Sequence, residues 1–163
     1  MPKSANEFAS EMQSAMGESW LPRIYRERIL KMRTRAYEFP ALPKNAVPQI
    51  HHTLLGIELK VGRRRMLCPD LATARYLAVF ARLGCKAVAI PYDITKISQV
   101  ADELESSWHR MLLLAADSAC ETKQEFRARV GRMLIEKVRY EINQAGAGAR
   151  APEFTATTKQ RRR

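Results

Sequence analysis

Between residues 54 and 91 the apolar positions change their period twice. Leu55, Ile57, Leu59 and Val61 alternate with Glu58 and Lys60, the period-2 pattern of a strand with one buried face. Gly62 and Arg63 supply a tight turn into a second strand over residues 64–68. The period then lengthens. Leu71, Ala74, Leu77, Ala78, Phe80 and Ala81 cover most of a helix circumference, with Asp70 placed as N-cap and Gly84 just past the end. Residues 86–91 are a short apolar run with β-branched side chains, the mark of a buried strand. A hairpin, a crossover helix and a third strand predict a small three-stranded sheet. In it the third strand would lie parallel to residues 64–68, reached by a right-handed crossover. Residues 49–53 can lengthen the first strand.

The flanks read as helices. Phe8, Met12, Ala15 and Met16 are spaced for a short helix that Gly17 can end. A second begins at Leu21 and Pro22, and Leu21, Tyr25, Ile29, Met32 and Ala36 extend its stripe to residue 36. Pro40, Pro43 and Pro48 then impose an extended connector. Beyond the third strand, Asp93 is the N-cap of a long helix striped by Ile97, Val100, Leu104, Trp108, Met111, Leu112 and Ala115. Phe126, Val130, Leu134, Val138 and Ile142 form an i, i+4 ridge on a last helix. The expected class is α+β, with two N-terminal and two C-terminal helices around the small sheet. The expected divisions are an N-terminal helical segment (1–39), a connector (40–49), an α+β core (50–144) and a disordered basic tail (145–163).

Charge changes this picture more than composition does. The 163 residues carry a formal net charge of +11, an excess that points to a polyanionic partner. It is clustered. Residues 22–39 hold six basic residues, Arg23, Arg26, Arg28, Lys31, Arg33 and Arg35, against Glu27 and Glu38. Lys60, Arg63, Arg64 and Arg65 stand together at the hairpin turn with no acid among residues 60–65. The last helix and the tail are also basic, whereas Asp102, Glu103 and Glu105 make the long helix acidic. A basic helix face can simply be solvated, and a charged edge strand can simply discourage aggregation. Against that, self-repulsion of this kind gives folding nothing. A basic hairpin tip suits phosphate contact, because the arginine fork matches a phosphate bidentately.

Chemistry is sparsely spelled out. Glu58, Leu59 and Lys60 form E-x-K on a predicted strand, with Pro69 and Asp70 following. This resembles part of the PD-(D/E)xK nuclease pattern, which implies metal-holding carboxylates (Glu58, Asp70) and a lysine (Lys60) that assists the attacking water. That family places an aspartate strand before E-x-K, where the only nearby upstream acid in this chain is Glu38, before the connector. His51 and His52 beside Cys68 lack any zinc-ligand spacing. Gly56, Gly62 and Gly84 are isolated and form no phosphate loop. Cys68, Cys85 and Cys120 are odd in number and widely spaced, which suits reduced, buried thiols. No cofactor or metal is implied. No run approaches the length of a membrane span and residues 1–10 lack a hydrophobic signal segment, so a cytoplasmic location and no membrane partner are expected.

The sequence thus predicts a nucleic-acid-binding accessory or regulatory protein without catalysis of its own, DNA and RNA undistinguished. Phosphate contacts would come from the hairpin (Lys60, Arg63, Arg64, Arg65) and from the helix carrying Arg23 to Arg35. Two other classes stay open: a divalent-metal-dependent nuclease-like enzyme, and an interaction subunit for an acidic protein. The amphipathic helices also offer a face to a protein partner or a second copy.

Overall fold

The computed structural model describes residues 4–43, 46–118 and 123–148. Helix α1 (Ala5–Met16) is followed by a 3₁₀ turn (Gly17–Ser19) and by α2 (Leu21–Ile24), which runs on as a π turn (Tyr25–Ile29). Then come β1 (Thr34–Glu38), β2 (Gln49–Thr53), β3 (Gly56–Val61), β4 (Arg64–Cys68), α3 (Leu71–Leu83), β5 (Ala87–Pro91), α4 (Ile94–Ser118) and α5 (Gln124–Ala145). The fold is α+β. Strands β2-β3-β4 form an antiparallel meander, and β1 pairs with β5 in a separate antiparallel ribbon.

Local signals placed the elements well where they depend only on near neighbours. Asp70 caps α3 by accepting the Thr73 amide at 2.7 Å, and Gly84 ends it at φ 82°. Ser4 caps α1 by accepting the Glu7 amide. Asp93 accepts from the Thr95 hydroxyl at 2.7 Å and the Thr95 amide at 3.0 Å. Those hydrogen bonds favour the carboxylate and lower its pKa. The ridges were also legible. Val130, Leu134, Val138 and Ile142 are buried, as are Ile97, Val100, Leu104, Trp108 and Met111. With Met12, Trp20, Tyr25, Leu59 and Phe80 they belong to a single hydrophobic cluster, which draws on both the N-terminal helices and the hairpin.

Three expectations fail. The second helix does not reach residue 36. Its last turn closes through an i to i−5 bond from the Leu30 amide to the Tyr25 carbonyl (2.9 Å), and the chain then leaves as β1. Residues 49–53 do not lengthen the hairpin strand but form β2, which turns back at Leu54 and Leu55. The Thr53 hydroxyl holds that turn, donating to the Gly56 carbonyl and accepting the Leu55 amide. Leu55, expected on the inner strand face, is therefore 86% exposed. Finally, β5 does not join the hairpin sheet in parallel. It pairs antiparallel with β1.

The reason lies at the far edge of β5. The Phe39 amide bonds to the Lys86 carbonyl and the Tyr92 amide to the Arg33 carbonyl. Two-residue alternation from these pairs makes Ala36↔Ala89 a non-hydrogen-bonded pair, so Ala89 turns its amide and carbonyl away from β1. Two buried tyrosines meet them. The Ala89 amide donates to the Tyr25 hydroxyl at 2.9 Å, and the Tyr76 hydroxyl donates to the Ala89 carbonyl. The Tyr25 hydroxyl in turn donates to the Gly146 carbonyl. Pro91 falls at the same outward phase, where a missing N–H leaves no gap in the ladder. Side chains close the edge at which a parallel neighbour would have had to pair.

Candidate nucleic-acid interface

The meander has two unlike faces. Cross-strand partners share a face, so the register sets Leu59 with Met66 and Ile50, and Ile57 with Cys68 and His52. Leu59, Val61, Met66 and Cys68 are buried on that face, against α3. Burial raises the pKa of the Cys68 thiol, which stays a neutral packing group. The other face carries Gln49, His51, Glu58, Lys60, Arg65 and Leu67; Glu58 and Lys60 are half-buried and the other four are exposed.

The basic tip is built at the end of β3 and β4. Gly62 has φ 62°, a left-handed conformation that only glycine adopts at little cost. A Cβ there would lie 2.5 Å from the Pro43 ring, so the connector closes directly onto the turn. Lys60 stands opposite Arg65, and Arg64 opposite Val61. Arg63, Arg64 and Arg65 are all exposed. Arg65 reaches Glu58 at 3.5 Å. Among the described residues, Lys60, Arg63 and Arg64 have no carboxylate within ion-pair distance. Two cations placed directly opposite each other oppose strand pairing, and one carboxylate compensates only part of that.

The helical set behaves differently. Arg23 pairs with Glu27 at 2.7 Å, Arg26 with Glu141 at 3.3 Å and Arg28 with Glu103 at 2.7 Å. Arg23 thus finds its partner one helical turn on, whereas Arg26 and Arg28 find theirs far away in sequence. Lys31 lies beyond the helix, and Arg35 is exposed on β1. The Arg33 guanidinium sits over the Tyr92 ring at 4.9 Å. The structure thus splits this set among the α2–π turn helix, the connection after it and β1, with Arg23, Arg26 and Arg28 already engaged. The acidic face of α4 is likewise occupied: Arg75 of α3 binds Asp102 and both carboxylate oxygens of Glu105, hydrogen bonds that hold its guanidinium charged. Arg139 of α5 donates to the Leu83 carbonyl and neutralises the C-terminal end of α3. The predicted basic tail, apart from residues 145–148, lies outside the described residues.

The E-x-K residues are brought only partly together. Glu58 and Lys60 adjoin on the outer face, while Asp70 is engaged as the α3 cap. His51 is on the outer face, hydrogen-bonded to Gln49 at 3.2 Å; His52 is on the opposite one, and Cys68 is buried. Among the described residues no group of three or more His, Cys, Asp or Glu side chains could hold a metal ion. No described helix is long and apolar enough to cross a membrane.

Sequence reasoning missed that Gln49 lies beside Lys60 and His51 beside Glu58. The signal was the hydroxyl and glycine of Thr53 and Gly56, which bracket a turn otherwise made of two leucines. Compared with protein families, curated proteins and solved structures, the chain matches none.

Proposed function

We propose that this protein is an accessory or regulatory factor that binds nucleic acid through the β3–β4 tip, with Lys60, Arg63, Arg64 and Arg65 contacting phosphates. One observation carries the reading: four cations gathered on a braced turn, with Lys60 facing Arg65 and, among the described residues, Glu58 the one carboxylate in reach. The arrangement strains the free protein and is relieved by a polyanion. Preorganisation adds to it, because a turn closed against Pro43 loses little freedom on binding.

A titration at several salt concentrations tests the proposal. Four phosphate contacts on a duplex give a slope of about −3.6 in log affinity against log salt, or a loss of roughly 150-fold between about 50 and 200 mM. Absence of binding at low salt, or a flat response, removes the reading. The reading includes no bond cleavage. Incubation with Mg²⁺ or Mn²⁺ should leave the nucleic acid intact, and cleavage lost in Glu58→Ala would replace it with the nuclease-like class.

A further inference from the structure

We infer that the partner is double-stranded, with Arg64 and Arg65 reaching the phosphates of its two strands from opposite sides of the hairpin tip; this rests on the reading just proposed. Successive strand residues point to opposite faces. Arg65 shares the outer face with Lys60, whereas Arg64 shares the phase of Val61. Val61 is buried, yet Arg64, its partner beside the turn, is exposed, so on the inner side the Arg64 side chain reaches solvent, with no ion-pair partner among the described residues. The tip therefore offers phosphate donors in two directions, which Pro43 keeps fixed by its contact with the turn glycine. A single strand lying across the outer face would meet Lys60 and Arg65 and leave Arg64 unused. Two backbones flanking a groove use both.

A further observation favours a duplex. The outer face presents Gln49, His51, Glu58, Lys60, Arg65 and Leu67, with no Phe, Tyr or Trp. Proteins that take single strands on a sheet stack the unpaired bases on such rings, and this sheet has no such platform. What remains is attraction to phosphate, and that favours the polymer of greater charge density. Duplex DNA carries one charge per about 1.7 Å of axis, and its salt slope per contact is steeper than that of a single strand.

The test uses the full chain, titrated at one low salt concentration with a mixed-sequence duplex and with each of its separated strands at equal length. Parallel titrations with DNA and RNA duplexes distinguish the two sources of a paired backbone. At least one duplex should bind tenfold or more tightly than its strands. Arg64→Ser should lower the magnitude of the salt slope on that duplex by about 0.9 and leave strand binding unchanged, while Arg65→Ser lowers both. Strands that bind as tightly as either duplex, or an Arg64→Ser slope equal to that of the parent, overturn the inference and leave the preceding proposal standing. Failure of every polymer to bind overturns both. Melting curves check that each serine variant is folded, as expected for substitutions at exposed positions.

Discussion

Two hydroxyl groups decide how the smaller sheet is finished. Tyr25 and Tyr76 satisfy the outward amide and carbonyl of Ala89, and Tyr25 also holds the carbonyl of Gly146. Removing the Tyr25 hydroxyl with Tyr25→Phe orphans a buried N–H, so unfolding should become easier by about 1–3 kcal/mol, read from denaturant melts; an unchanged midpoint would show that the edge is closed in some other way. Burial also pushes the Tyr25 pKa from 10.0 up to about 12. The unfolded chain then loses this proton at lower pH than the folded one. The contribution is complete below pH 10 and falls as pH rises to 12, by roughly 2–3 kcal/mol in all. Cys85, raised by burial from 9.0 to about 12, acts with the same sign from pH 9 upward. Alkaline melts should therefore show steep destabilisation above pH 9, and Tyr25→Phe should flatten the part above pH 10.

Among the elements, the β3–β4 hairpin and the α2 turn look alike in charge and differ in what surrounds them. Gly62→Ala would add a Cβ at a left-handed position and 2.5 Å from Pro43. It should cost about 1–2 kcal/mol from backbone strain alone and weaken binding by loosening the turn, with thermal melts and titration as the two readouts. Arg28→Ser and Arg26→Ser should leave the salt slope of binding as it was. Their guanidinium groups already sit on Glu103 and Glu141, and exposed pairs of this kind contribute up to about 1 kcal/mol each. A slope that drops as far as it does for Arg64→Ser would move the interface from the hairpin to the helix.

At the scale of the whole molecule, opposite charges far apart in the chain have been brought together, while at the hairpin tip Lys60, Arg63 and Arg64 meet no carboxylate among the described residues. Arg28 and Arg75 both engage the acidic face of α4. That neutralisation was invisible in the sequence, where residues 22–39 and 93–121 are simply two blocks of opposite sign. The sequence by itself determined what short-range physics controls. The α3 helix with its Asp70 and Gly84 ends, the buried ridges of α4 and α5, the hairpin turn at Gly62 and its exposed arginines all follow from period, capping and turn chemistry within a few residues. The tertiary structure alone decided which strands pair. A strand's partner depends on what meets its edge, and β5 is met by β1 on one side and by tyrosines from α3 and from the π turn, 64 residues away from Ala89, on the other. It also decided which cations stay free, because neutralisation depends on distance in space, and Glu141 lies 115 residues from the Arg26 it pairs with.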